Sequence, residues 1–246
     1  MPVDGNDQEP NPNVQGMSKA KISKSKSQRS KFLDIEILSL ELPTPMHTQR
    51  GFETPQLYRD GWVTIGNFDG VHRGHQAMLG RLVARARETK ARAVVLTFDP
   101  HPIALLRPQQ TPPALSLLDH KLELFKQHGI DTVIVYPTDH ELLKLTPDAF
   151  FQDIVLNRLN AVGVVEGPNF FFGRGRAGNV ETLRSLCESA GRRFEVVAAL
   201  SVRGRMVSSS EVRALIAAGE MAAAVEMLGH PYRVRGIVGS GAARGR

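Results

Sequence analysis

Val63-Thr64-Ile65-Gly66-Asn67-Phe68-Asp69-Gly70-Val71-His72-Arg73-Gly74-His75 reads as a buried strand, a tight glycine turn and the first turn of a helix carrying two histidines. Val63 and Ile65 are β-branched strand residues, and residues 76–87 carry the helical apolar period that follows. A helix start of this kind presents open backbone N–H groups and the positive end of the helix dipole, which suits a phosphate. Gly74 removes a Cβ where a ligand's phosphate or ring approaches closely. Two imidazoles beside that spot can donate hydrogen bonds to oxygens that gain charge in phosphoryl or nucleotidyl transfer. A His-x-x-His pair also fits a plain surface position, and Asp69, His72, His75 and His101 form a plausible metal-ligand set. The glycine turn favours phosphate, because metal ligation does not need it.

Outward from this stretch, apolar strands alternate with amphipathic helices, which predicts an α/β domain with a mostly parallel sheet flanked by helices. Strands are expected at 62–67, 93–98, 132–136, 162–166 and 194–199, and helices at 76–89, 117–127, 147–159 and 180–189. Ser116 is placed to cap the second helix and Gly129 to end it, Thr146 then Pro147 is a cap followed by proline, and Asn179 and Gly191 bracket the last helix. Ligands in such sheets bind beyond the carboxyl ends of the strands, where the Asn67 to Gly74 turn falls.

At 246 residues and 41% hydrophobic content the chain can hold one sizeable domain with a tail and a fragment of another. The formal charge of +6 is uneven: six basic residues between Ser18 and Lys31, against three acids upstream, leave +3 for residues 1–31 and +3 for the rest. That Ser/Lys tract reads as a solvated, disordered tail, and with no interleaved aromatics it gives no specific nucleic-acid role. Residues 1–56 are therefore expected to be a disordered basic tail and linker, with order beginning near Gly61. Cys187 is the single cysteine, lies in an apolar pattern with Val180, Leu183 and Leu186, and reads as a packed thiol. No apolar run reaches membrane-spanning length, the first ten residues are unlike a leader, and a cytoplasmic location is expected.

Three further segments carry chemistry. Phe98-Asp99-Pro100-His101-Pro102 leaves the second strand as a stiff turn at the same edge of the sheet, a role that a mere strand exit would also fill. In Gly167-Pro168-Asn169-Phe170-Phe171-Phe172-Gly173-Arg174-Gly175-Arg176-Ala177-Gly178 the pattern Gly173-x-Gly175-x-x-Gly178 imitates a dinucleotide fingerprint. It starts too far beyond its strand for that role. The aromatics suit a flat ring, with at least one of the three acting as a core plug under the loop. Val207-Ser208-Ser209-Ser210-Glu211-Val212-Arg213 opens a helix ending near Ala218, where hydroxyls, helix N–H groups and an arginine one turn in form a polyphosphate receptor. Blandly, it is a serine cap with a surface arginine.

His72-Arg73-Gly74-His75 resembles the His-x-Gly-His signature of the nucleotidylyltransferase superfamily, and the longer Gly66 to Gln76 stretch resembles its variant in bacterial FAD synthetases, the bifunctional riboflavin kinase/FMN adenylyltransferases. The loop at Pro100, His101 and Pro102 is similar to that family's flavin-side motif. The loop with Asn169, Phe172 and Arg176 is similar to its G-x-N-F-x-F-G-x-x-R-x-G motif. Residues 207–213 resemble I-S-S-[ST]-x-x-R, with Val207 in place of isoleucine. The resemblance implies a Rossmann-like nucleotidylyltransferase fold over residues 57–229 and transfer of AMP from ATP to FMN, giving FAD and pyrophosphate. It implies catalytic roles for His72, His75 and Arg213, and ATP binding by Gly66, Asn67, Phe68, Gly70, Gly74, Ser208, Ser209 and Ser210. Pro100, His101, Pro102, Asn169, Phe172 and Arg176 would hold FMN. Mg²⁺ is expected to travel with ATP through water and substrate oxygens, with no dedicated protein cage. Residues 230–246 look like the start of a riboflavin kinase module that stops short, so kinase activity is not expected. A related nucleotidylyltransferase with another phosphorylated acceptor, or a non-catalytic flavin carrier, are the alternatives.

Overall fold

The computed structural model describes residues 45–237 and residue 239. The basic tract and most of the expected tail lie outside these residues, as do Val238 and residues 240–246 at the expected start of a kinase module. In chain order the main elements are β1 (His47–Arg50), β2 (Trp62–Ile65), α1 (Arg73–Glu88), β3 (Ala93–Phe98), α2 (Pro102–Leu106), α3 (Leu118–Gln127) and β4 (Thr132–Tyr136). There follow α4 (His140–Lys144), α5 (Pro147–Phe150), a π-helical turn at Phe151–Arg158, β5 (Gly163–Glu166), α6 (Val180–Ser189) and β6 (Arg193–Val196). A small hairpin of β7 (Ser201–Val202) and β8 (Arg205–Met206) precedes α7 (Ser209–Ala217) and α8 (Met221–Leu228).

Six strands form one sheet in the order β1-β4-β3-β2-β5-β6, and every pair in it is parallel. A parallel sheet covered on both faces needs strands apolar on both sides. Val63, Ile65, Val94, Leu96, Ile134 and Val164 enter one core with Phe150, Phe151, Ile154 and Leu183. Their alternates Trp62, Ala93, Val95, Val133, Val135 and Val165 enter the other with Leu79, Leu82 and Phe125. Period two within each strand therefore builds two cores back to back. A third, smaller core lies under α7 and α8, from Leu115, Val212, Leu215, Ala224, Met227 and Leu228.

From β2 the chain builds outward through β3 and β4 on one side, then returns to add β5 and β6 on the other. The order reverses between β2 and β5, and a crevice for ligands forms at such a reversal, beyond the carboxyl ends of the strands. The loops after β2, β3 and β5 are the three in which the sequence places chemistry.

The expected strands at 93–98 and 132–136 and the helix at 180–189 match to the residue. Other expectations need correction. Residues 47–50, inside the expected linker, form an edge strand on β4. The single helix expected at 147–159 is a short α-helix continued by a π-helical segment. Ser116 does not cap α3, whose N-cap is Leu117 with no side-chain acceptor. The Ser116 hydroxyl instead accepts the Gly70 N–H at 2.9 Å. Thr146 and Asn179 do cap their helices, accepting from Ala149 and Thr182. Residues 231–237 belong to no helix or strand, but Arg233 and Arg235 pair with Glu123 and Asp119 on α3.

Candidate active site

β2 ends at Ile65, and the backbone turns sharply. Phe68 sits at φ +48 and is buried, Gly70 at φ +78 and Val71 at φ +36. A β-branched residue with positive φ is costly and is held only where its surroundings dictate it. The turn delivers His72 to the N-cap of α1, where its Nδ1 accepts the His75 N–H at 3.3 Å. With Nδ1 accepting, the neutral ring carries its proton on Nε2. The His72 and His75 rings stack at 3.6 Å with 16° between planes, and Phe68 meets His75 edge-on at 5.1 Å. A Cβ on Gly74 would lie 3.2 Å from His72 Nδ1, so this glycine makes room for the ring. Burial lowers the His72 pKa to about 4. Burial, then the His72 and Lys121 charges, hold His75 well below the ordinary histidine value. Both imidazoles are thus uncharged at neutral pH, suited to donate hydrogen bonds.

Asp69 organises the site, and the sequence offered it only as a metal ligand. Its carboxylate accepts from the Leu115 N–H at 3.0 Å, the Ser116 N–H at 3.1 Å and the Ser116 hydroxyl, and pairs with the Arg213 guanidinium. Arg213 Nε also donates to the Pro113 carbonyl at 2.8 Å. The Ser209 hydroxyl donates to the Asp69 carbonyl at 2.9 Å. Ser208 caps α7 by accepting from the Glu211 N–H, and Ser210 is exposed at the same helix start. Residues 208–213 are thereby fastened to the signature turn. Arg73 and Gln76 of α1 donate to the carbonyls of Glu226 and Leu228, and His230 Nε2 lies 2.9 Å from the Gly70 carbonyl. Among the described residues no group of three His, Cys, Asp or Glu is placed to hold a metal ion.

The loop after β3 brings Pro100, His101 and Pro102 to the same edge. His101 caps α2, its Nδ1 accepting the Ile103 N–H at 3.1 Å with Pro102 at the first helical position. Burial lowers its pKa. In the loop after β5 the three phenylalanines divide their work. Phe172 is 5% exposed, stacks on Phe170 at 5.5 Å and packs on Phe150, so this ring, expected at the flavin, is the core plug. Its backbone bridges Gly178, whose missing Cβ leaves room for the ring. The accessible ring is Phe171, 45% exposed, with the Arg176 guanidinium 4.6 Å above it. Arg176, expected near phosphate, is engaged there. The Asn169 amide donates to the Met206 sulfur at 3.7 Å, joining this loop to the β7–β8 hairpin. Gly173 and Gly175 open no α-helix, only a 3-10 turn at Arg174–Arg176, which removes the dinucleotide-fingerprint reading.

Two buried ionisable side chains escaped the sequence reading. Lys121 is 8% exposed, and its Nζ donates to the Asn67 carbonyl at 3.2 Å. The signal was there: Leu118, Lys121, Leu122 and Phe125 share one face of α3, with lysine in an apolar register. Glu166, at the carboxyl end of β5, is 1% exposed and accepts the Ile65 N–H at 2.7 Å. Its side chain closes the sheet where β2 and β5 part, and burial raises its pKa well above the carboxylate range.

Comparison with known proteins agrees with this layout. A solved structure described as a macrolide-efflux protein from Streptococcus pneumoniae superposes with a TM-score of 0.68 at 23% identity, over 81% of this chain and 66% of that one, a likeness of fold alone. The bifunctional riboflavin kinase/FMN adenylyltransferase of Escherichia coli K12 is 33% identical over 184 residues, 75% of this chain and 59% of that protein. Its counterpart in Pseudomonas fluorescens is 34% identical over 194 residues, 78% of this chain and 62% of that protein. The FAD synthetase of Listeria monocytogenes is 33% identical over 182 residues, 73% of this chain and 72% of that protein. The chain thus spans about three fifths of the length of the first curated relatives it matches. The FAD synthetase family model matches residues 54–211, from just after β1 to the first turn of α7, and the chain belongs to the FAD synthetase family.

Proposed function

We propose that this chain transfers AMP from ATP to FMN, releasing pyrophosphate and forming FAD. The observation that carries the reading is the fastening of Ser209 and Arg213 onto Asp69, which unites two phosphate-handling segments 140 residues apart. In the proposed step an FMN phosphate oxygen attacks the α-phosphorus of ATP as the bond from that phosphorus to the β-phosphate bridging oxygen breaks. The nucleophile is already anionic, so positioning and charge stabilisation supply the catalysis. Neutral His72 and His75 donate to the α-phosphoryl oxygens at the α1 N-terminus, where Gly66, Asn67, Phe68, Gly70 and Gly74 shape the nucleotide's approach. Ser208, Ser209, Ser210 and Arg213 restrain the leaving pyrophosphate. Pro100, His101 and Pro102 take one side of the flavin, and the loop bearing Asn169 and Arg176 the other, with Phe171 its accessible ring above the buried Phe172. Mg²⁺ would accompany ATP as part of the substrate and help neutralise the phosphate charge. A reducing cytosol is the compartment we propose. Cys187, buried with its pKa pushed up to about 12, has no redox exposure to exploit.

The test is incubation with FMN, ATP and Mg²⁺ and chromatography of the products, with riboflavin in place of FMN as control. FAD and pyrophosphate form from FMN only, and His72→Ala/His75→Ala loses at least about a hundredfold in rate. A folded chain that binds FMN and ATP yet makes no FAD overturns the proposal.

A further inference from the structure

We infer that the Lys121 ammonium is the receptor for the phosphate of the phosphorylated acceptor, a contact separate from the histidine pair and the serine–arginine segment. The inference rests on the adenylyl-transfer reading above. Lys121 occupies the apolar stripe of α3 and is 8% exposed. An ammonium there is expensive unless its charge is used. It has three donors, and among the described residues its hydrogen bond is to the Asn67 carbonyl in the turn after β2. The two carboxylates whose fields reach it, Asp69 and Asp99, form their ion pairs elsewhere, with Arg213 and Arg50.

The Lys121 charge acts on His75 of the nucleotide-side helix and on His101 of the loop after β3. With its Nζ on the Asn67 carbonyl in the turn after β2, the ammonium is near both the segment assigned to nucleotide and the loop assigned to the acceptor. Adenylyl transfer brings a phosphate monoester dianion against a triphosphate. The stacked histidines are neutral, the α1 terminus offers only a partial charge, and Arg213, paired with Asp69, is assigned to the leaving pyrophosphate. Among the residues gathered here, Lys121 is the buried full positive charge still able to meet an incoming anion. Its bond to Asn67 aims the ammonium, and the phosphate takes its remaining donors.

A lysine that only props up the Asn67 carbonyl would serve riboflavin and FMN alike. The two roles separate by titrating the full chain with FMN and with riboflavin, following flavin fluorescence, for wild type, Lys121→Met, Lys121→Gln and Lys121→Arg. Loss of a charged hydrogen bond predicts that the Met and Gln variants bind FMN roughly tenfold to hundredfold more weakly. Riboflavin binding stays unchanged, and Arg recovers most of the FMN affinity. Thermal melts of each variant confirm folding, and raised salt lowers the wild-type preference for FMN over riboflavin. Equal weakening of both flavins, or no change for either, overturns the inference, as does a wild-type chain that binds the two flavins equally. A wild-type chain that prefers FMN but makes no FAD sinks the catalytic reading instead, and the variants' FMN-to-riboflavin ratio still decides Lys121.

Discussion

Replacing Asp69 by asparagine is the severest small change the site allows. The carboxylate is 10% exposed and its partner Arg213 19% exposed. The donors converging on it are the Leu115 and Ser116 N–H groups, the Ser116 hydroxyl and the guanidinium. Asparagine keeps one acceptor oxygen and turns an NH₂ toward the remaining donors, leaving Arg213 without its counter-charge. Removing one member of a mostly buried ion pair costs about 3–5 kcal/mol. For a domain of this size each kcal/mol shifts Tm by about 2–4 °C, so Asp69→Asn should melt roughly 6–20 °C below wild type. Circular dichroism melts of Asp69→Asn, Arg213→Gln and the double variant measure this. Because the two residues act as one unit, the double variant should lose little more than either single one. An Asp69→Asn protein melting within about 2 °C of wild type would refute the view that this carboxylate pins the two segments together.

Acid should weaken the fold through the stacked histidines. The His72 pKa falls from 6.5 unfolded to about 4 folded, so its neutral form is preferred by the native state and the unfolded chain takes up the proton. No effect exists above pH 6.5, stability declines as pH falls from there toward 4, and about 3 kcal/mol is lost below that point. Urea titrations at pH 7.5 and 5 should show wild type losing about 2 kcal/mol more than His72→Gln, and equal losses would contradict the assignment. Gly70→Ala and Gly80→Ala make a matched pair for denaturation. The first forces a Cβ at φ +78 to 2.9 Å from Leu115 Cδ1 and should cost about 2–5 kcal/mol. The second meets nothing within 4 Å on α1 and should gain about 0.5–1 kcal/mol.

The parts of the fold written in the sequence are those with a strong apolar pattern. β3 and β4 could be bounded because each is a short, nearly unbroken apolar run, and α6 because its apolar residues repeat at three to four. The edge strand β1 could not, since His47, Thr48, Gln49 and Arg50 are half-buried or exposed and show no apolar alternation. Helices of five residues, α2 and α4, are too short to display a period, and α8 is an alanine-rich run in which Glu226 is the single polar residue. The π-helical stretch hides because its composition is that of an α-helix. At the candidate site the signature residues were legible, but their carpentry was not. Ser116 reads as a helix cap from local pattern, and only the fold reveals that Asp69 and Gly70 claim it. Lys121 looks like an ordinary helix lysine until α3 turns that face inward. Which of three adjacent phenylalanines faces solvent depends on the Phe172–Gly178 bridge, a pairing no local rule announces.

The separation between Asp69 and Arg213 also sets an order of events during synthesis. When the signature turn leaves the ribosome its carboxylate has neither its guanidinium nor the Ser209 hydroxyl on the neighbouring carbonyl, which lie 144 and 140 residues downstream. At roughly 5–20 residues per second the turn waits on the order of ten seconds for them. The two cores of the sheet can close in that interval from strands already made, whereas the edge that carries the candidate site cannot. A nascent chain halted before α7 should thus hold a packed sheet with an unfinished rim. Binding competence arrives late and in one step, when a single helix turn docks.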